Sequence, residues 1–219
     1  MVRFILLLLG THHPPTVGIG NALAIELAAQ GFNLVIHGRS TDKLAKVQSD
    51  LQAARAGVDV VTICADASRR IEDWDALLAP LKELQITILI NNVGSTRIGA
   101  YFPIHRVSED DIYSLIHIND IFPTILTSKM LPQLISNAPS LILNMGSAAG
   151  PVGVPLLAVY TGTKAYNIYF SRAVRNELKL LGHDNVECKA VIVVRPLLLE
   201  QNLLGSHSVV HIGQRIHKH

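Results

Sequence analysis

Tyr160 and Lys164 are the pair of residues with the clearest chemical potential in this sequence. They lie four positions apart, so on a helix both side chains project from the same face. A phenol is a poor proton donor or base at neutral pH, because its ordinary pKa is about 10, and a nearby cation favours the phenolate. Ser147 ends an apolar segment typical of a strand, and its hydroxyl could hydrogen-bond the oxygen that Tyr160 protonates. These residues predict proton transfer to or from a carbonyl or alcohol oxygen. For the tyrosine and lysine alone, an exposed pair on a helix is the alternative.

Strand-like and helix-like segments alternate along the chain and would bring these residues to one edge of a sheet. The predicted strands are 2–9, 32–37, 58–65, 86–91, 141–145 and 186–194, and the predicted helices are 19–30, 42–56, 71–84, 108–135 and 160–181. This alternation predicts an α/β fold, a Rossmann-like doubly wound parallel sheet in three layers, α/β/α. Ligands of such sheets bind beyond the carboxyl ends of the strands. Gly18, Asp66, Asn91 and Ser147 fall at or just after such ends, so we expect them to line one crevice.

Length and composition limit the class of protein. A chain of 219 residues, 49% hydrophobic and 16% charged, suits one domain with a large core, expected over 1–196, followed by a short tail over 197–219. The net charge of +2 is too small to indicate nucleic-acid binding, and the ten histidines show no metal-ligand spacing, so no metal site is predicted. Cys64 and Cys188 lie in predicted strands far apart in the sheet. They are expected to be reduced, buried thiols of a cytoplasmic protein.

The apolar run over residues 4–9 is interpreted as a strand. It is too short to span a membrane and lacks a small-residue cleavage site, which argues against an anchor or a signal peptide. A wholly apolar run at the start of an α/β chain suits a central parallel strand that is buried on both faces. No transmembrane helix is predicted.

Further motifs make the sequence resemble the short-chain dehydrogenase/reductase family over residues 1–196. In chain order, the motifs are Gly18-Ile19-Gly20 before a helix, Asn91-Asn92-Val93-Gly94, Asn119, Ser147, and Tyr160 with Lys164. Residues 31–39 and 91–94 are most similar to the branch that contains 3-ketoacyl-CoA reductases and 17β-hydroxysteroid dehydrogenases. The resemblance implies hydride transfer between a nicotinamide cofactor and a carbonyl compound or its alcohol.

By this resemblance, four residues form the catalytic set. Tyr160 is expected to be the general acid in reduction, and Lys164 to activate Tyr160 and hold the nicotinamide ribose hydroxyls. Ser147 is expected to position and polarise the carbonyl. Asn119 corresponds to the family asparagine that holds a water in a proton relay ending at Lys164. For Asn119 alone, an asparagine bonded locally to its own helix backbone is the alternative.

The resemblance also implies a cofactor site, for which the sequence favours NADP(H). The second strand is followed by Arg39 and Ser40 and not by an acid. A guanidinium suits the 2′-phosphate of NADP(H). The alternative is that Arg39 is an exposed loop arginine. Asp66 matches the family position that contacts the adenine amino group. The Asn91–Gly94 segment matches a motif that supports the sheet and lines the adenosine side, with a plain turn as the alternative. The expected cofactor-binding residues are Gly10, Gly18, Ile19, Gly20, Arg39, Ser40, Asp66, Asn91, Gly94, Tyr160 and Lys164.

The chain departs from the family pattern near both ends. Seven residues separate Gly10 from Gly18, more than the family has, and Pro14 and Pro15 have no amide hydrogens to offer a pyrophosphate. Either these residues bulge outward and leave Gly18–Gly20 usable, or the phosphate site is damaged. After the sixth strand Pro196 is present without the glycine that follows it in the family. The substrate lid and last strand are therefore expected to be shortened or absent.

Two functions of different classes follow. The first is an NADP(H)-dependent oxidoreductase that interconverts a hydrophobic ketone or aldehyde and its alcohol. It is favoured by the complete catalytic set and by the apolar segment 148–157, which is expected to wall the substrate pocket. The second is a catalytically weak or inactive relative that acts as a binding or scaffold protein, favoured by the proline-containing loop and the short C-terminal part. The resemblance further implies a homodimer formed through the helices that carry Asn119 and Tyr160.

Overall fold

A single parallel sheet organises the part of the chain that the computed structural model describes, residues 3–9, 18–96 and 101–193. Its strand order is β3-β2-β1-β4-β5-β6, and every neighbouring pair is parallel. The order reverses between β1 and β4, which places the topological switch point there. The predicted Rossmann-like doubly wound sheet is confirmed. The strands are β1 (Arg3–Leu8), β2 (Asn33–Gly38), β3 (Val60–Cys64), β4 (Gln85–Asn91), β5 (Ser140–Ser147) and β6 (Val186–Val193).

Helices cover both faces of the sheet and complete the three layers. One π-helical turn, His117–Ile121, runs directly into the long helix that follows it. Short 3₁₀ turns occur at Ala79–Leu81 and Ile104–Arg106. The α-helices are α1 (Ile19–Ala29), α2 (Thr41–Ala54), α3 (Trp74–Leu78), α4 (Glu109–Ile116), α5 (Phe122–Ser136), α6 (Ala149–Val152) and α7 (Ala158–Leu180).

Strand β1 supplies apolar side chains to two separate cores. Leu6 and Leu8 belong to the core on one face of the sheet, and Ile5 and Leu7 to the core on the other. Successive side chains of a strand point to opposite faces, so a strand buried on both sides needs an unbroken apolar run. The interpretation of this run as a central strand is confirmed.

The predicted helix over 71–84 is largely wrong. The structure has only α3, followed by the 3₁₀ turn Ala79–Leu81. Asp73 starts α3 by accepting a hydrogen bond from the Ala76 amide at 2.9 Å. Pro80 has no amide hydrogen and cannot donate the next hydrogen bond of the helix, which explains the early end.

The end of α1 and the two cysteines test smaller details of the prediction. Gly31 has a φ of +89° and donates its N–H to the Ala28 carbonyl at 2.8 Å, so it caps α1 as expected.

The cysteines are unpaired and lie on β3 and β6, at opposite edges of the sheet. Cys188 is buried, but Cys64 is exposed, which corrects the prediction of two buried thiols. The reason is that Cys64 is the last residue of an edge strand.

Candidate active site

Helix α7 places the Lys164 ammonium beneath the Tyr160 ring. The Nζ atom lies 5.7 Å from the ring centroid and donates a hydrogen bond to the Met145 carbonyl of β5 at 2.8 Å. Lys164 is 6% exposed, so the alternative of an exposed surface pair is wrong. The short helix α6 packs tightly here, because a Cβ on Gly150 would lie 2.9 Å from the Ala165 nitrogen. The tyrosine–lysine pair therefore lies between α6, α7 and the end of β5.

The charge state of Lys164 is set by burial and by one carboxylate. Burial lowers the pKa of Lys164 to about 8, and the nearby charge of Asp120 acts in the opposite direction. Burial likewise raises the pKa of Asp120 to about 7, against the effect of the Lys164 charge. A lysine with this pKa is mostly a cation at neutral pH. It can therefore stabilise a phenolate at Tyr160.

Asn119 connects the segment after β4 to α7. Its Oδ1 accepts a hydrogen bond from the Ser95 amide at 2.9 Å, and its Nδ2 donates to the Ser95 carbonyl at 2.9 Å and to Thr163 Oγ1 at 3.0 Å. These are contacts with other segments, so the alternative of a purely local backbone bond is wrong. Asn119 lies in the π-helical turn, a local widening of the helix that is often found at functional sites.

Gly94 is required where these groups meet. A Cβ at this position would lie 2.9 Å from Asn119 Oδ1 and 3.4 Å from Lys164 Nζ. A side chain there would push the asparagine or the lysine out of place. The last residue of the Asn91–Gly94 motif thus lies against two of the predicted catalytic residues.

A chain of buried hydrogen bonds supports the back of Asn119. Asn167, one turn after Lys164 on α7, donates its Nδ2 to the Asn119 carbonyl at 3.2 Å. Ser171 Oγ donates to the Asn167 carbonyl at 2.7 Å, and Thr163 Oγ1 donates to the Tyr160 carbonyl at 2.7 Å. Buried polar groups that are mutually satisfied hold their positions firmly.

The same chain of hydrogen bonds continues into the sheet. Asn144 of β5 donates to Ser171 Oγ at 2.9 Å and accepts from Asn91 Nδ2 at 2.7 Å. Asn91 also donates to Thr127 Oγ1 at 2.9 Å, which agrees with its expected role in supporting the sheet. Sequence reasoning missed Asn144 and Asn167. The available signal was an amide side chain at a core-facing position of an apolar strand or helix.

Ser147 lies at the carboxyl end of β5, and Tyr160 lines a cavity. Ser147 is the last residue of the strand, as predicted, and its Oγ accepts a hydrogen bond from the Ala149 amide at 3.2 Å. Tyr160 lines a largely apolar cavity, to which Asp111 and Thr96 add polar groups. The expected wall segment 148–157 contributes only its last two residues. The apolar lining is Phe102, Ile104, Val107, Leu115, Leu156, Leu157, Ala158 and Val159.

The N-terminus of α1 has the properties of a phosphate site. Within the part of the chain that the structure describes, no side chain caps it, and its first turn has no acidic residue. A Cβ on Gly18 would meet no atom of the described residues within 4 Å. Free amides and the helix dipole favour an anion, so the residues present fit a phosphate group, with Ile19 as the first helical residue. Gly10 and residues 11–17 lie outside the described residues.

Gly20 allows α1 to approach the sheet closely. A Cβ on Gly20 would lie 2.5 Å from Asn92 Nδ2 and 3.3 Å from the Leu8 carbonyl oxygen. Asn92 Nδ2 itself donates to that carbonyl at 3.0 Å. The second asparagine of the motif therefore ties β4 to β1 at the switch point, directly below α1.

The predicted adenosine end contains an exposed arginine and a carboxylate. Partial burial would raise the pKa of Asp66, but hydrogen bonds from Ser68 and the charges of Arg39 and Arg69 outweigh it, so the pKa is lowered. Arg39 is exposed just after β2. Ser40 caps α2, where its Oγ accepts from the Lys43 amide at 3.5 Å. The Ser40 hydroxyl thus has a structural role that sequence reasoning did not predict.

The family model for short chain dehydrogenases matches residues 15–194. The chain belongs to the short chain dehydrogenase family. Within the family, the very-long-chain 3-oxoacyl-CoA reductase of Mus musculus is 37% identical over 169 residues, which cover 76% of this chain and 53% of the relative. A Caenorhabditis elegans protein whose name places it among steroid dehydrogenases is 32% identical over 192 residues, 86% of this chain and 70% of the relative. The predicted resemblance to this branch is confirmed.

Solved structures of the family share the fold. The short-chain dehydrogenase of Sphingobium yanoikuyae in complex with NADPH superimposes with a TM-score of 0.72 and 26% identity, covering 89% of this chain and 71% of that one.

The chain spans about half the length of the 3-oxoacyl-CoA reductases that it matches, for example 53% of the mouse protein. None of the helices within residues 3–9, 18–96 and 101–193 is long and apolar enough to cross a membrane.

Proposed function

We propose that this dehydrogenase interconverts a hydrophobic ketone or aldehyde and its alcohol with NADP(H). The observation that carries the proposal is the buried Lys164 ammonium beneath Tyr160, at a cavity whose lining is mainly apolar. A phenol held beside a buried cation can donate a proton to a carbonyl oxygen and later recover it. A surface tyrosine without that cation could do neither efficiently at neutral pH.

Each residue of the catalytic set has a role that its position supports. In reduction, Tyr160 donates its phenolic proton to the substrate oxygen, and Lys164 stabilises the phenolate that remains. Ser147, at the end of β5, hydrogen-bonds the same oxygen. Asn119 keeps the segment after β4 against α7, through its bonds to Ser95. When bound, a nicotinamide cofactor supplies or accepts the hydride.

The cofactor proposed is NADP(H), held along the carboxyl edge of the sheet. The N-terminus of α1, with Gly18 and Gly20, would hold the pyrophosphate. Arg39 would pair with the 2′-phosphate, since its guanidinium is exposed just after β2 and β2 itself contains no acid. Relatives solved with NADPH and with NADP, at 26% and 25% identity, support the choice.

The substrate proposed is a carbonyl compound with an apolar chain or ring. The cavity beside Tyr160 offers mainly apolar contacts, from Phe102, Leu115 and Leu157 among others. Relatives named as very-long-chain 3-oxoacyl-CoA reductases support a long acyl group in this role. Burial of each CH₂ group contributes about 0.8 kcal/mol, so affinity should rise with chain length.

The subunits are proposed to pair through α5 and α7. Exposed apolar side chains occur on α7 and just before α5: Tyr169 is 65% exposed, and Ile121, the last residue of the π-helical turn, is 41% exposed. Tyr166 joins the two helices through a 2.9 Å hydrogen bond to Thr124. A second copy of this surface would cover these side chains and make a symmetric dimer.

The first experiment measures nucleotide binding by fluorescence titration of the purified chain with NADPH and NADH. We expect tighter binding of NADPH. Arg39→Ser should weaken NADPH binding at least about tenfold, because a hydrogen bond to a charged group contributes about 1.5–3 kcal/mol. NADH binding should not change. Arg175→Ser, an exposed arginine of α7, is the matched control.

The second experiment follows NADPH consumption with ketones and 3-oxoacyl thioesters of increasing chain length. Tyr160→Phe should reduce turnover by about 10²- to 10⁴-fold, the usual contribution of a general acid, and still bind NADPH. If neither nucleotide binds at millimolar concentration, the oxidoreductase proposal is wrong. The alternative of a binding or scaffold protein would then stand.

A further inference from the structure

Asp120 is a half-buried acid that the proposed mechanism does not use. It follows Asn119 in the π-helical turn His117–Ile121, which packs against α4, α5 and α7. Its Oδ1 atom is buried and has no hydrogen-bond partner among the described residues. A buried carboxylate oxygen without a donor is costly, so its presence calls for an electrostatic reason.

The charge that acts on Asp120 is the Lys164 ammonium. Lys164 is itself buried, and within the described part of the chain the Met145 carbonyl is the one acceptor to which it donates. Each group affects the protonation of the other: the Asp120 charge raises the pKa of Lys164, and the Lys164 charge lowers the pKa of Asp120, both against the effect of burial.

The other titratable groups on the surrounding helices have partners of their own, face the cavity or are exposed to solvent. His117 Nδ1 lies 2.9 Å from the Ala67 carbonyl, and Lys129 of α5 pairs with Asp75 at 3.2 Å. On α7, Tyr166 is bonded to Thr124. Tyr160 of α7 and Asp111 of α4 line the cavity. Asp120 is therefore the acid that acts on Lys164.

We propose that Asp120 is a positioning residue whose carboxylate keeps Lys164 charged beside Tyr160, and so sets the upper end of the pH range in which Tyr160 can exchange its proton. The proposal rests on the proposed function for its catalytic consequence. The coupling between the acid and the lysine does not depend on cofactor or substrate. It can therefore be measured separately.

The first test titrates Lys164 in the full chain by NMR, with lysine labelled at ¹³Cε and the Lys164 signal assigned by its loss in Lys164→Arg. Asp120→Asn should lower the pKa of Lys164 by about one unit, as removal of one close opposite charge does. Asp110→Asn, which removes an exposed acid of α4, is the matched control and should leave the titration unchanged. An unchanged titration in Asp120→Asn would overturn the proposal.

The second test measures the pH dependence of turnover with NADPH. If the pKa of Lys164 falls from about 8 by one unit, the fraction of protein molecules with a charged Lys164 drops roughly fivefold at about pH 8. At about pH 6 this fraction hardly changes. Asp120→Asn should therefore lose about fivefold in activity at the higher pH only, and Asp120→Glu should recover it.

An equal loss at every pH, with a lowered unfolding midpoint, would assign Asp120 to folding and overturn the proposal. A shifted Lys164 titration in a chain that reduces no carbonyl compound would instead overturn the proposed function. It would leave the coupling of Asp120 to Lys164 established.

Discussion

His37 makes the stability of this protein depend on pH in a way that the structure allows us to calculate. The side chain is 3% exposed at the end of β2, with its ring centroid 5.1 Å from that of Phe122. Burial lowers the pKa of His37 from 6.5 to about 4, while the Ala65 backbone and the Asp66 charge act in the opposite direction without outweighing it. The imidazole is therefore neutral in the folded protein at pH values where an unfolded chain would protonate it.

The sign and size of the effect follow from proton linkage. Between pH 6.5 and about 4, the unfolded state binds a proton at His37 that the folded state does not. Stability is thus complete above the unfolded pKa and is lost as the pH falls through the folded pKa. The difference between 6.5 and about 4, at about 1.4 kcal/mol per unit, corresponds to about 3.5 kcal/mol, most of it lost by about pH 4.5.

The assay is urea unfolding followed by the fluorescence of Trp74, the single tryptophan, whose ring lies 5.2 Å from Phe122. Wild type, His37→Leu and the exposed control His105→Asn are compared at about pH 7.5 and about pH 4.5. Wild type should lose about 2–3 kcal/mol more than His37→Leu on acidification, and the control should behave like wild type. Other titratable groups, such as Asp120, are common to all three proteins, so their contributions cancel when the losses of stability are compared.

Equal losses in wild type and His37→Leu would refute this reasoning. They would mean that the buried imidazole accepts a proton in the folded state, or that the site opens to water on acidification.

Two further predictions concern backbone packing and assembly. Gly20→Ala should destabilise the chain by about 1–3 kcal/mol in urea unfolding and weaken NADPH binding, because its Cβ would meet Asn92 Nδ2 at 2.5 Å. A Cβ on Gly162 would meet no atom of the described residues within 4 Å, so Gly162→Ala should instead be neutral or stabilising by up to about 1 kcal/mol. Tyr169→Glu should convert the proposed dimer to a monomer in light scattering, whereas Tyr113→Glu, 73% exposed on α4, should not; an unchanged mass for Tyr169→Glu would exclude pairing through α7.

Local patterns in the sequence were sufficient to predict all six strands and most of the helices. The apolar run in β1 indicates a strand buried on both faces, because side-chain direction alternates along any strand. The spacing of Tyr160 and Lys164 places them on one helix face, because helix geometry depends only on the backbone. Where a prediction failed, as for the helix over 71–84, the competing signal was also local: Pro80 ended the helix.

The electrostatics of the site could not be predicted in this way, because burial and distance between remote segments exist only after folding. Asn167 reaches the Asn119 carbonyl across 48 positions of the chain, and Lys164 reaches that of Met145 across 19. Nothing in the residues around Asp120 indicates that its charge would act on Lys164. The sequence by itself determined which groups could exchange a proton and on which elements they lie. Only the tertiary structure decided which of them are buried together, and so which charge states they hold, because the cost of a buried charge depends on everything packed around it.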